Sequence, residues 1–207
     1  MKIGITLYSN REIHFLLSNQ FLSLINNDNE NEYFIFCDDP KVIEGLFQGA
    51  KHVQVIKYYQ GKRWNRFIYW YILYQGERYN LLREKTVGDH DFFMQQHRYS
   101  NRFFYTLGYL FSSVFKIFPK IVNPLRWLSY RSSYYEKYSL DKCLLTQYHS
   151  FKEQCFAYNN QKASLIFFPN SHDSFTIEPF GVRIDKILSW HTVTSEMMES
   201  IHNFRKE

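Results

Sequence analysis

Residues 3–57 read IGITLYSNREIHFLLSNQFLSLINNDNENEYFIFCDDPKVIEGLFQGAKHVQVIK, and this stretch decides the fold. It contains three short apolar segments with the composition of strands buried on both faces: 3–7, 33–37 and 53–57. Apolar residues recur at helical spacing between the first two, and Asp39-Pro40 supplies a capping residue and a first-turn proline before the third. The alternation predicts a parallel sheet with right-handed crossovers.

The rest of the chain continues this alternation less regularly. Further strands are expected at 91–95, 142–146, 164–168 and 186–189. Further helices are expected at 62–85, at 100–118 and at 125–138, and Pro119 and Pro124 are expected to break the chain before the last of these. Two more helices are expected, one from the capping box Ser150-x-x-Glu153 to about 161 and one from Thr194 onward. We therefore predict one α/β domain over 1–207, a Rossmann-like parallel sheet flanked by helices, with a basic, aromatic-rich helical insertion at about 62–138.

Composition and cysteine usage bound the class of protein. Hydrophobic residues make up 45% of the chain, which excludes a disordered protein and allows a sizeable core. Cys37, Cys143 and Cys155 form no CxxC pair, which argues against a disulfide framework and a zinc ribbon and favours a reducing compartment. Met1 leads directly into the first strand without the apolar stretch of a signal peptide, so we expect a cytoplasmic location.

Charge is distributed unevenly along the chain. Residues 51–138 carry 15 Lys and Arg against 5 Asp and Glu, although the net charge of the whole chain is only +5. A basic block of this kind indicates an anionic partner such as a membrane, a nucleic acid or a phosphorylated substrate. Because no RNP-like or other nucleic-acid motif occurs, we do not expect a nucleic-acid partner.

The aromatic run at 103–118 has two interpretations. It is shorter than the roughly 20 apolar residues of a membrane span and it contains Lys116. It could pack as a core helix under the sheet. It could instead lie in a membrane interface with its rings at headgroup depth, which predicts peripheral association with the anionic inner face of the membrane.

Ligands of parallel α/β sheets lie beyond the carboxyl ends of the strands. After the first strand, Ser9, Asn10 and Arg11 would lie at a helix N-terminus, where anions are favoured, and His14 would lie along the same edge. Helix capping by Ser9 and Asn10 explains the same residues. Neither GxGxxG nor GxxxxGK[ST] occurs, and we expect no cofactor.

A second polar group follows the strand expected at 91–95. Gln96, His97 and Arg98 would then lie at the ligand edge of the sheet. His97 could act as a general base because the unperturbed pKa of histidine lies near neutrality. A histidine in a surface loop explains the same residue.

A third polar group, Ser171-His172-Asp173, follows the strand expected to end at 168. Members of a Ser/His/Asp triad converge from separate segments, so a turn stabilised by Asn170 and Asp173 is the simpler interpretation. The chain has no HExxH motif and no clustered His and Cys spacing, so we predict no metal site.

The carboxyl-terminal quarter carries a spaced pattern: Asp173-Ser-Phe-Thr176, Asp185-Lys-Ile-Leu-Ser-Trp190, Glu196-Met-Met and His202. It resembles the end of the N-terminal domain in bacterial surface-carbohydrate and teichoic-acid-type transferases of the GT-B fold. In that family a D-x-x-T turn precedes a strand that starts with Asp and ends with Trp, followed by a helix that begins with Glu. The chain departs from the family at His172, where Trp is frequent, and at His191, where Asn or Gly is frequent.

The resemblance implies the acceptor-binding half of a glycosyltransferase or polyol-phosphate transferase of cell-surface glycan synthesis. The acceptor would be a glycan or a lipid-linked glycan. The nucleotide-sugar donor would be bound by a second domain, which these 207 residues do not contain, or by a partner chain. The alternative is a non-catalytic glycan- or nucleotide-binding module with a degenerate Rossmann-like fold.

Within the transferase hypothesis, His97 and Asp173 are the candidate catalytic residues. The candidate substrate-binding residues are Asn10, Arg11, His14, Gln96, Arg98, Ser171, His172, Thr176 and Trp190.

Overall fold

The computed structural model describes residues 1–7, 21–47, 49–83, 102–146, 150–167 and 184–187. The chain divides into two compact units. One spans Met1–Gln60 and Ser132–Glu207, and we refer to it as the sheet unit. The other spans Gly61–Arg131, and we refer to it as the helical unit.

A parallel sheet forms the sheet unit. Its strands are β1 (Lys2–Leu7), β2 (Glu32–Cys37), β3 (Val53–Lys57), β4 (Lys142–Leu145), β5 (Ser164–Phe167) and β6 (Lys186–Ile187). They lie in the order β3-β2-β1-β4-β5-β6, and every neighbouring pair is parallel. This confirms the predicted α/β, Rossmann-like class. The direction of strand addition reverses between β1 and β4, which is the switch point of the sheet.

Seven helices lie in the described residues. They are α1 (Phe21–Asn27), α2 (Pro40–Glu44), α3 (Arg63–Phe67), α4 (Tyr74–Arg83), α5 (Arg102–Ile117), α6 (Val122–Tyr130) and α7 (Phe151–Asn159). A π-helical segment, Ile68–Leu73, joins α3 to α4. Single 3-10 turns occur at Gly45–Phe47, Pro119–Ile121 and Glu136–Tyr138.

Both faces of the central strands are buried, as expected for parallel strands covered by helices on each side. Side chains at alternate positions of β1 and β2 pack with residues of α1 and α2 in one core: Ile5, Leu7, Ile25, Ile35, Cys37, Ile43 and Phe47. On the opposite face Phe36 packs against Phe156 of α7, with ring centroids 4.7 Å apart, and against Tyr135 at 5.6 Å. The sheet is therefore enclosed between an aliphatic and an aromatic layer.

Local capping signals set two of the helix starts. The Asp39 side chain accepts a hydrogen bond from the N–H of Lys41, and Pro40 occupies the first helical position, as predicted. At α7 the hydroxyl of Ser150 accepts a hydrogen bond from the N–H of Glu153 at 3.2 Å, which confirms the capping residue of the predicted box.

The helical unit differs from the sequence prediction in two places. The helix expected at 62–85 is interrupted by the π-helical segment, which composition does not reveal. Pro124 was expected to break the chain before a helix at 125–138, and that expectation is wrong. Pro124 lies in the first turn of α6, where its missing N–H would have no intrahelical partner, and the helix ends at Tyr130.

Two predicted elements, the strand at 91–95 and the helix from Thr194, lie outside the described residues. Within the part of the chain that the structure describes, no helix combines the length and apolar character required to cross a bilayer.

Close packing of α4 on α5 depends on Gly76. A Cβ at this position would lie 2.9 Å from the Cβ of Phe111 and 2.5 Å from Cε2 of Phe115. The Cβ of Phe111 is fixed by the backbone, so the two helices would have to separate to accept it.

We expect Gly76→Ala to lower the free energy of unfolding by about 1–3 kcal/mol, because overpacking outweighs the higher helix propensity of alanine. Gly45→Ala is the matched control, since Gly45 has φ −60° and no atom lies within 4 Å of its added Cβ. Urea unfolding measures both variants. Equal stability of Gly76→Ala and the parent would contradict the packing described.

Candidate functional site

The residues predicted to form the site all lie outside the described part of the chain: Asn10, Arg11, His14, Gln96, His97, Arg98, Ser171, His172, Asp173, Thr176 and Trp190. Their convergence on one cleft therefore stays a prediction. The structure does show that β1 and β5, which precede the first and last of these groups, flank β4 in one parallel sheet. The segments that follow them thus start from the same edge.

A buried polar seam joins β1 to β4 at this edge. The hydroxyl of Thr146 donates a hydrogen bond to the carbonyl of Thr6 at 2.7 Å, and the N–H of Thr146 donates to the hydroxyl of Thr6 at 3.2 Å. Both side chains are buried. Thr6 and Thr146 thereby extend the pairing of the two strands to the switch point itself.

Glu153 of α7 brings a carboxylate to the same seam. Its Oε1 accepts a hydrogen bond from the hydroxyl of Thr6 at 3.3 Å, and its Oε2 accepts one from the hydroxyl of Ser150 at 3.2 Å. The residue is 1% exposed. The first turn of a helix is where a negative charge is best stabilised, because the unpaired N–H groups point toward it. The contacts fix this carboxylate as a hydrogen-bond acceptor beneath the edge.

An ion pair joins the first turn of α7 to the residue that follows β2. The ammonium group of Lys152, in the first turn of α7, contacts Oδ1 of Asp38, which follows β2. Asp38 remains 42% exposed and Lys152 25% exposed, so both charges are accessible to a ligand. In dinucleotide-binding sheets an acidic residue of the second βα unit accepts the ribose hydroxyls. Here the acid after β2, Asp38, forms an ion pair with Lys152.

Sequence reasoning missed these edge residues. Asp38 offered a signal, because it directly follows a buried strand. Thr6 did not, since it lies inside an apolar strand, and its contact with Glu153 spans 147 residues of sequence.

The three cysteines are free and buried, in agreement with the absence of a disulfide framework expected from the sequence. Burial, followed by the nearby charges of Asp38, Asp39 and Glu44, raises the pKa of Cys37 to about 12. Burial also raises the pKa values of Cys143 and Cys155. All three thiols therefore stay protonated at neutral pH and cannot act as nucleophiles.

No group of three or more His, Cys, Asp or Glu residues within the described ranges has the arrangement of a metal site.

In the described residues of the helical unit, one carboxyl group has a shifted pKa, that of Glu77 in α4. Arg126 of α6 donates to its Oε1 from Nη2 at 2.6 Å and from Nε at 3.1 Å. The Oε2 atom is buried without a hydrogen-bond partner. Burial raises the pKa of Glu77 to about 7, against the opposing effect of the arginine. This carboxyl group therefore changes charge near neutral pH.

Comparisons of the chain with protein-family models, with curated proteins and with solved structures found no match.

We expect Ser150→Ala to lower the free energy of unfolding by about 1–3 kcal/mol, because it removes the α7 cap and one hydrogen bond of the buried Glu153 carboxylate. Ser133→Ala, at an exposed position, serves as the control and should change stability by no more than about 0.5 kcal/mol. Thermal or urea unfolding checks both. An effect of Ser150→Ala as small as that of the control would show that the cap does not stabilise the edge.

The raised pKa of Glu77 predicts that the free energy of unfolding depends on pH. Its pKa is 4.5 ordinarily and about 7 in the fold, so the folded chain binds more protons than the unfolded chain between these values. Its contribution to the free energy of unfolding is therefore fully present below pH 4.5 and is lost as the pH rises to 7, with a slope approaching about 1.4 kcal/mol per pH unit.

Urea unfolding at a series of pH values measures this slope. Glu77→Gln should flatten it, whereas Glu136→Gln, at an exposed residue, should leave it unchanged. Identical pH profiles for the parent and Glu77→Gln would contradict the assignment.

Proposed function

We propose that the chain is the acceptor-binding half of a glycosyltransferase or polyol-phosphate transferase of cell-surface glycan synthesis. The strand order is the observation that carries the proposal, because it provides a switch point between β1 and β4 at the edge where parallel sheets bind ligands. The spaced pattern from Asp173 to Trp190, which resembles GT-B acceptor domains, supports the same function.

In this proposal the acceptor hydroxyl is positioned at the carboxyl edge of the sheet. His97 or Asp173 removes its proton as the oxygen attacks the activated carbon or phosphorus of the donor, and the nucleotide leaves with the bonding electron pair. The remaining candidate residues after β1 and β5 hold the acceptor. A second domain or a partner chain binds the nucleotide-activated donor.

We propose further that the chain acts in the cytoplasm at the inner face of the membrane. Three free, buried cysteines are typical of a reducing compartment. The excess of positive charge over 51–138 favours an anionic surface nearby.

A non-catalytic nucleotide-binding module is the second candidate. The observation that favours it is Asp38, which follows β2 at the place where dinucleotide-binding sheets hold a ribose. Lys152 forms an ion pair with that carboxylate and would compete with a ribose for it.

Calorimetric titration separates the two. If the chain is an acceptor half, it should bind short oligosaccharides of bacterial surface glycans, with dissociation constants between about 1 μM and 1 mM, and should not bind UDP-glucose or CDP-glycerol. Asp173→Ala should weaken glycan binding about 10-fold or more, and Glu136→Ala, at an exposed acid, is the control.

Nucleotide binding without glycan binding would refute the acceptor-half proposal. If Asp38→Asn then weakened nucleotide binding and Glu44→Gln did not, the result would establish the nucleotide-binding module. Absence of binding to both ligand classes would contradict both functions.

A further inference from the structure

The helical unit exposes an unusual amount of apolar surface. Of the fifteen large hydrophobic side chains exposed in the described residues, twelve belong to this unit: Trp64, Phe67, Trp70, Tyr71, Phe103, Tyr109, Leu110, Ile117, Phe118, Ile121, Trp127 and Leu128. Single exposed apolar residues are ordinary, but a concentration of them marks an interaction surface.

Three of these rings form a stacked row along α3 and the π-helical segment. Trp64 and Phe67 stack at 5.3 Å with an angle of 15° between their planes, and Phe67 and Tyr71 stack at 5.1 Å and 28°. Because Phe67 lies between its neighbours one turn away on each side, its ring faces are occupied within the row. Phe67 therefore offers its ring edge to a partner. The row continues into α5 through Phe104, 6.1 Å from Tyr71, and then Phe103.

The outward face of α5 extends this surface. Phe103, Leu110 and Ile117 follow one another at intervals of seven residues, which is two helical turns, so they share one face. They are 57%, 51% and 67% exposed. Ser112 and Phe115, on the face that packs inward, are buried. The helix is thus apolar on its exposed side as well as on its packed side.

In the described part of the helical unit, positive charge accompanies the apolar surface without exposed negative charge. Six basic side chains are exposed there: Lys62, Arg63, Arg66, Lys116, Lys120 and Arg131. Within the described residues of the unit, 61–83 and 102–131, Glu77 is the sole acid, and it is buried against Arg126. The described surface therefore favours a partner that is both apolar and anionic.

We propose that the stacked row and the outward face of α5 form a docking surface for an anionic phospholipid bilayer. The rings and aliphatic side chains enter the interface at headgroup depth, and the surrounding lysines and arginines contact the lipid phosphates. Phe103 belongs to both parts and makes the surface continuous. The inference adds a lipid partner to the proposed function. It rests on the proposed function only in that this function locates the chain at the membrane.

Two features favour lipid over single-stranded nucleic acid, which basic and aromatic residues also bind. Base stacking needs accessible ring faces, whereas both faces of Phe67, at the centre of the row, are covered by Trp64 and Tyr71. Leu110 and Ile117 provide exposed aliphatic surface, which suits acyl chains and cannot stack on bases.

Vesicle co-sedimentation tests the proposal with the full chain. Vesicles of phosphatidylcholine with 30% phosphatidylglycerol, on the order of the anionic content that attracts basic segments, should bind at least about 10-fold more tightly than pure phosphatidylcholine. Reversing three charges together, Arg63→Glu, Lys116→Glu and Lys120→Glu, should weaken binding to the anionic vesicles by about 100-fold or more. The matched control reverses three exposed lysines of the sheet unit, Lys51→Glu, Lys142→Glu and Lys162→Glu, and should weaken vesicle binding less.

A second pair of variants tests insertion. Leu110→Ser replaces an exposed side chain and should weaken vesicle binding about 5-fold or more, whereas Leu24→Ser, at a residue of the sheet unit that is 66% exposed, should not. Circular dichroism confirms that each variant is folded. Quenching of tryptophan fluorescence by brominated lipid should fall in Trp64→Phe.

Equal binding to neutral and anionic vesicles, or no binding to either, would overturn the proposal. So would oligonucleotide binding that is stronger than vesicle binding, or a dimer in sedimentation analysis that Leu110→Ser dissociates while vesicle binding is absent. Vesicle binding without glycan binding would retain this inference and remove the transferase function. Glycan binding without vesicle binding would retain the transferase function and remove this inference.

Discussion

The pairing of β1 with β4 is the constraint on which the sheet unit depends. At one end of the seam the amide of Lys2 donates to the Asp141 carboxylate at 2.7 Å, and the amide of Asp141 donates to the Lys2 carbonyl at 2.9 Å. At the other end Thr146 donates to the carbonyl of Thr6. The strands joined in this way are separated by more than 130 residues, and closing such a loop costs entropy before any contact is made. Once they pair, the direction of the sheet reverses beside β1, and the edge that binds ligands in this architecture exists.

The fold could be predicted because its signals are local. Strands buried on both faces are continuous apolar runs, and the helix starts at Asp39-Pro40 and Ser150 are fixed by hydrogen bonds within three residues. The polar seam could not be predicted, since Thr6 joins Glu153 only after the long-range pairing has formed. The prediction that Pro124 breaks the chain before a helix was wrong for a related reason. Whether a proline breaks a helix or occupies its first turn depends on where the preceding 3-10 turn ends, and composition does not specify that position. The predicted ligand-binding residues all fall in segments outside the described ranges.

The aromatic run at 103–118 shows why the sequence left its two interpretations open. A helix that packs on one side only usually carries a polar opposite face, and that contrast is what periodicity detects. In α5 the packed side holds Ser112 and Phe115, and the exposed side holds Leu110 and Ile117, so apolar character alone does not mark the packed side. The buried side of α5 packs on α4 within the helical unit. The membrane-interface interpretation of the exposed side stays a prediction. To tell the two sides of α5 apart, one has to know that α4, with its Gly76, covers one of them.

The π-helical segment has a consequence for how this chain tolerates insertions and deletions. A π-turn holds one residue more than an α-turn in about the same rotation, so it accommodates an extra residue without turning the helices on either side of it. The segment Ile68–Leu73 lies between the aromatic residues of α3 and the buried Glu77 of α4. Loss of a single residue there would convert the π-turn to an α-turn and leave Trp64 and Phe67 on the same side of the axis relative to Glu77. The segment is therefore a place where the chain can change length by one residue while both of its flanking helices keep their faces.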